Sequence, residues 1–243
     1  MHIYQHIEAV RENVILYFHG GGYVFGVPEQ VDDLMFKMTR DLRATIVSVD
    51  YRLAPQYPFP IPILDGFDAL KWIMSDGEQE LGISSERITL FGGSAGAHLA
   101  AAVVQMTVDN KINNIKHQFL LYPVITNRMD SPSMVEFSDS PLWNTFYADA
   151  AWIHFYGEDY KTKSDRYADL LNFDAFEELP QTTIVACELD PLRDEAIAYT
   201  QELYRAGVPT ELWVVPGAVH VFDLFACPLS DKFYDFLIDR MTT

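Results

Sequence analysis

Basic residues are scarce in this chain. Seventeen Lys and Arg stand against thirty-five Asp and Glu in 243 residues, a formal net charge of −18. Nucleic acid and anionic membrane both require a basic face, so neither is an expected partner. Cysteine is scarcer still: Cys187 and Cys227 are the only two. They show no C-x-x-C spacing and no adjacent His cluster, which argues against a structural zinc site. Two free thiols suit a reducing compartment. Long apolar runs are missing too. None approaches the length of a membrane span, and the opening stretch MHIYQHIEAVREN lacks the apolar core of a secretory signal. A cytoplasmic protein is the expectation. With no repeat, low-complexity tract or dividing linker, residues 1–243 are expected to form one domain.

What the chain does contain is a rhythm. Short apolar runs alternate with helical patterns, the βαβ signature of a mostly parallel sheet. Val14–Phe18 (VILYF), Thr45–Val49 (TIVSV), Arg87–Phe91 (RITLF), Phe119–Tyr122 (FLLY), Thr183–Cys187 (TIVAC) and Glu211–Val215 (ELWVV) read as strands. Helices are expected near Leu64–Met74, Ala95–Met106 and Asp231–Arg240. The segment Asn127–Leu179 breaks the rhythm: it is aromatic-rich and carries no strand pattern. Long insertions of this kind are often lids over active sites, and a helical lid is expected here.

Two glycine motifs follow predicted strands. Gly92-Gly93-Ser94-Ala95-Gly96 lies between RITLF and the small-residue helix AHLAAAVV. That strand–turn–helix context is what a G-x-S-x-G nucleophile elbow requires, whereas the spacing alone would also suit a tight Gly-rich turn. His19-Gly20-Gly21-Gly22-Tyr23 follows VILYF. Consecutive glycines let bare amides face a ligand, and with the N–H of Ala95 they would hold a tetrahedral oxyanion. No G-K-[ST] follows, so a phosphate loop is not indicated.

A nucleophilic serine needs a base, and in such folds the order is Ser, acid, His. Only His220 lies beyond the strand TIVAC and follows the last strand, ELWVV. His98, one helical turn past Ser94, reads as a packed helix residue, and His19 as a shaper of the glycine loop. Asp190 stands just past TIVAC, where parallel sheets keep functional groups. Asp194 competes, but it can instead cap the next helix.

Together HGGGY, DYRLAP (Asp50–Pro55), GGSAG, DPLRDE (Asp190–Glu195) and the His220 loop resemble the hormone-sensitive-lipase-like esterases of the α/β-hydrolase fold. The resemblance runs from about Val14 to near the C-terminus. It implies hydrolysis of short or medium carboxylic esters without a cofactor or metal. It also implies a triad of Ser94, Asp190 and His220 and oxyanion donors on Gly21, Gly22 and Ala95. Three departures stand out: Gly93 where the family has Asp or Thr, Val221 where it has Gly, and HGGG reached by residue 19, so that the N-terminal cap is expected to be short or missing. Tyr23, Trp143, Tyr147 and Phe222 are expected to form an apolar wall of a half-open pocket that favours short esters. The expected partner is a small ester, with a homodimer left open. Two other readings use the same fold: a non-catalytic binding protein, which would typically lose the base, and an amidase or peptidase, which shares the acyl-enzyme route.

Overall fold

The computed structural model describes residues 1–242. Seven strands form one sheet: β1 His2–Gln5, β2 Val14–Phe18, β3 Thr45–Val49, β4 Ile88–Gly93, β5 Ile115–Leu121, β6 Gln181–Cys187 and β7 Thr210–Val215. Their spatial order is β1-β3-β2-β4-β5-β6-β7. β1 pairs antiparallel with β3, and every other pairing is parallel. The helices are α1 Asp32–Leu42, α2 Ile61–Trp72, the single turn α3 Glu78–Leu81, α4 Ala95–Asp109, α5 Pro132–Glu136, α6 Thr145–Tyr156, α7 Arg193–Arg205 and α8 Pro228–Thr242.

Helices cover both faces, which is why the inner strands are continuously apolar. All five residues of β2 and of β3 are buried. Alternate residues serve different cores, as the two-residue strand period dictates. Val14, Leu16 and Phe18 join the core that contains α2, α4 and α7, whereas Ile15 and Tyr17 join the core beneath α1 and α8. Helix α4 is sandwiched: every residue from Ala95 to Thr107 is buried. A helix apolar on all sides belongs inside a protein, and its run of alanines lets it lie close to the sheet.

The six expected strands are present, some longer than their apolar runs. β1, α1 and the single turn α3 have no counterpart among the expected elements. Four residues with one buried side chain make a weak signal, and β1 is held by its edge pairing with β3. The segment between β5 and β6 contains α5, α6 and three short 3₁₀ turns, and no strand. No helix among the described residues is long and apolar enough to cross a membrane. The consequence of the parallel topology is positional: His19, Ser94, Asp190 and His220 all follow the C-terminal ends of strands, on the same side of the sheet.

Candidate active site

Ser94 occupies the single-residue junction between β4 and α4, with φ 56° and ψ −124°. Non-glycine residues rarely adopt this conformation, and it persists only where its surroundings impose it. The surroundings here are backbone. The Ser94 N–H donates to the Leu121 carbonyl at 2.9 Å, and the Ser94 carbonyl accepts from Ala97 and His98. The flanking glycines make the crossing sterically possible. A Cβ on Gly96 would run into the Phe18 and His19 carbonyls, and one on Gly92 into the backbone of Gly96. Ser94 is thus held at the N-terminus of a fifteen-residue helix, where the dipole favours developing negative charge.

Three side chains from different strand ends meet there. His220 Nε2 lies 2.8 Å from Ser94 Oγ, and His220 Nδ1 lies 2.6 Å from Asp190 Oδ2. A carboxylate only accepts hydrogen bonds, so Nδ1 carries the hydrogen and Nε2 is left to accept from the serine hydroxyl. Asp190 is completely buried and its other oxygen accepts the Leu192 N–H at 3.0 Å. Asp194 points elsewhere. It accepts from the Ser133 N–H and from Arg193, tying the β5–β6 insertion to α7.

The second glycine motif crosses beside Ser94. A Cβ on Gly20 would stand 3.1 Å from the Gly93 carbonyl oxygen and 3.5 Å from the Ser94 Cβ. Gly21 has φ 129°, and a side chain there would collide with the Phe25 carbonyl. The N–H groups of Gly21, Gly22 and Ala95 meet no backbone acceptor among the described residues. The loop is braced from behind. His19 stacks on Tyr51 with ring centroids 4.2 Å apart and bonds the Gly20 carbonyl through Nδ1 at 2.8 Å. The Tyr51 hydroxyl donates to the His19 carbonyl at 2.7 Å. Burial pushes the His19 imidazole pKa down, so it stays a neutral structural ring.

Ser94 and His220 open into a cavity of about 340 Å³ bounded by the glycine loop, Tyr17, Phe25, Phe91, Tyr122, Leu142, Trp143, Val221, Asp223 and Leu224. The Trp143 ring lies 5.7 Å from the His220 ring, and Tyr122 lies 4.6 Å from it on another side. Of the four aromatics expected to line the site, Trp143 alone does so. Tyr23 is 1% exposed and faces the core: it stacks on Phe155 at 3.9 Å, and its hydroxyl shares a 2.9 Å hydrogen bond with His98 Nδ1. Phe222 is buried against Phe233. Tyr147 is half exposed and borders a separate depression on the outer side of Trp143. Sequence reasoning missed Tyr17, Tyr122 and Asp223. The last is a carboxylate on the cavity wall that accepts from the Tyr122 hydroxyl at 2.8 Å. Burial raises its pKa from the ordinary carboxylate value, partly offset by that hydrogen bond.

This geometry has known counterparts. The profile of the alpha/beta hydrolase fold family matches residues 15–224. The chain belongs to that family. Within it, the chain is one of the hormone-sensitive-lipase-like carboxylesterases. It is 34% identical over 220 residues to an arylesterase of Saccharolobus solfataricus, covering 90% of this chain and 71% of that protein. It is 35% identical over 229 residues to the carboxylesterase NlhH of Mycobacterium tuberculosis, covering 90% and 69% respectively. Among solved structures, a bacterial heroin esterase superposes with a TM-score of 0.94 at 33% identity, covering 99% of this chain and 77% of that one. The carboxylesterase EstE1, cloned from a metagenomic library, gives 0.91 at 31%, with 99% and 82% covered.

Two departures from the carboxylesterase pattern now have a physical reading. Val221, where the family has glycine, sits in the left-handed region at φ 56°, which costs a β-branched residue about 1–2 kcal/mol. A Cβ at Gly93 would stand 3.5 Å from the Tyr122 ring, an ordinary van der Waals contact, so the fold does not demand glycine there.

Proposed function

We propose that this carboxylesterase acts on short-chain esters through an acyl-enzyme, with Ser94 as nucleophile, His220 as base and Asp190 as the residue that orients it. The observation that carries the reading is the continuous chain Asp190–His220–Ser94, at 2.6 and 2.8 Å, ending at the wall of the cavity. His220 Nε2 takes the hydroxyl proton as Ser94 Oγ bonds to the ester carbonyl carbon. The carbonyl π electrons move onto oxygen, and the amides of Gly21, Gly22 and Ala95 receive that oxyanion; one such donor is worth about 10²–10³ in turnover. Collapse of the intermediate breaks the bond to the alcohol oxygen, which leaves with the proton from His220. Water, activated by His220 in turn, repeats the sequence and returns the acid and free Ser94. Asp190 stabilises the imidazolium throughout without taking its proton.

Short substrates are favoured by the cavity itself. Its volume of about 340 Å³ is near the lower end of ordinary ligand sites, and its walls are mostly apolar. Each buried methylene contributes about 0.8 kcal/mol, but only until the cavity is filled. Methylenes beyond that point stay hydrated and add ordering cost. The single sheet running from β1 to β7 supports treating the chain as one α/β-hydrolase unit, with the β5–β6 insertion contributing Leu142 and Trp143 as a partial lid. The test is kcat/KM for p-nitrophenyl acetate, butyrate, octanoate and palmitate, with Ser94→Ala as control. A maximum between acetyl and butyryl that vanishes in the control is expected. A maximum at palmitoyl overturns the size argument, and unchanged turnover by Ser94→Ala overturns the assignment.

A further inference from the structure

The catalytic sequence above does not use Asp223. Its position three residues beyond His220 places it on the wall of the same cavity. Oδ1 accepts from the Tyr122 hydroxyl, which leaves the carboxylate with unused acceptor capacity. No Lys or Arg lines the cavity among the described residues, and its walls include five aromatic side chains: Tyr17, Phe25, Phe91, Tyr122 and Trp143. A carboxylate without a cationic partner, set among aromatic rings, is the chemistry that binds an ammonium ion, by charge and by the ring faces together. Asp223 also borders a second depression between α1 and α8, whose wall carries Glu29, Asp32, Asp33 and Asp231 against one cation, Lys37. That lysine lies over the Tyr234 ring at 3.3 Å. The potential outside the cavity therefore has the same sign as the group inside it.

We propose that Asp223 is a specificity-determining residue that selects esters carrying an ammonium group a few atoms from the scissile carbonyl. The inference rests on the esterase reading of Ser94 and extends it to substrate class. The cation can belong to either side of the ester, and matched pairs of substrates separate the two cases. On the alcohol side the pair is acetylcholine and 3,3-dimethylbutyl acetate. On the acyl side it is the p-nitrophenyl esters of 4-(trimethylammonio)butyric and 5,5-dimethylhexanoic acids. In each pair the members differ in charge and hardly in shape.

The readout is the cationic-to-neutral ratio of kcat/KM at pH 8.5 in wild type, Asp223→Asn and Asp223→Glu. Taking the ratio cancels any general damage to folding or to the serine machinery. A partly screened carboxylate–ammonium contact is worth about tenfold. A ratio near ten or above in at least one pair, falling at least fivefold in Asp223→Asn and kept in Asp223→Glu, is the expected result. The pair that responds identifies the side of the ester the cavity takes. Ratios near one in both pairs, with neutral esters still cleaved in a Ser94-dependent way, overturn the subsite and leave the esterase reading standing. If the neutral esters are not cleaved at all, the failure lies with the esterase reading.

Discussion

The cavity has two walls made by different means. One is backbone: the Gly20–Gly22 loop and the Gly92–Gly96 elbow cross so closely that side chains at several positions would collide. The other is side chain: Tyr17 from β2, Tyr122 from the end of β5, Trp143 from the insertion and Asp223 from the loop after β7. The backbone wall is where charge would be stabilised, so it must be rigid, and amides fixed by close packing have nowhere to move. The side-chain wall would touch what varies between substrates, and a rotamer or a single residue can reshape it. On the proposed reading, chemistry falls to the part of the site that tolerates least change, and selectivity to the part that tolerates most.

The largest expected effect tests the buried carboxylate bonded to His220. Asp190→Asn would leave His220 Nδ1–H facing an amide that can flip to present a donor, favouring the wrong tautomer. The analogous change in a serine protease lowers turnover by about 10⁴, and a similar loss in kcat is expected here. Asp194→Asn should keep kcat within about tenfold, because its bonds run to Ser133 and Arg193. Steady-state kinetics of both variants decide the matter, and a worse Asp194 variant would reverse the assignment.

Next in size is the crossing. Gly96→Ala forces a methyl into the Phe18 and His19 carbonyls, which should destabilise the fold by about 3 kcal/mol or more. Gly93→Ala, with 3.5 Å to the Tyr122 ring, should cost under about 1 kcal/mol. Urea midpoints give both numbers. Equal losses would mean that the backbone wall is not defined by these contacts.

The smallest effect concerns what lies behind the glycine loop. Tyr23 is tied to His98, and burial lowers the His98 pKa from 6.5 to about 3. Between those values the unfolded chain binds a proton that the folded chain refuses, so this histidine's contribution is intact above pH 6.5 and declines as pH falls, by about 1.4 kcal/mol per unit. Comparing wild type with His98→Asn from pH 6 to pH 4 isolates the slope. Parallel stability curves would show that His98 takes up its proton in the fold.

The contrast between the walls also explains what the sequence made legible. Glycine at 20–22, 92 and 96 is a local necessity of a local geometry, so the loop and the elbow could be read directly, together with the strands that lead into them. Ser94, Asp190 and His220 followed from strand order. The side-chain wall is assembled across more than two hundred residues, and an aromatic side chain does not announce its direction. Tyr23, with φ 65°, turns its ring into the core onto Phe155. Phe222 turns toward Phe233, while its neighbour Asp223 meets the cavity. Trp143 precedes the Asn144 cap of α6 and faces inward; Tyr147, in the first turn of α6, is left half exposed. One-residue differences of this kind depend on the backbone path of each loop, which residue type alone does not set. β1 was illegible for another reason: its pairing partner, β3, lies some forty residues away.

That Ser94 is the nucleophile of an esterase is tested most directly by covalent trapping. Diisopropyl fluorophosphate transfers its phosphoryl group to an activated serine and releases fluoride; the adduct can be counted by intact mass and located by peptide mapping. One adduct per chain is expected, on the peptide containing Ser94, formed in step with the loss of p-nitrophenyl acetate hydrolysis and absent in His220→Ala. Inactivation without a label on Ser94, or a fully labelled Ser94 in a chain that still turns over ester, would contradict the assignment.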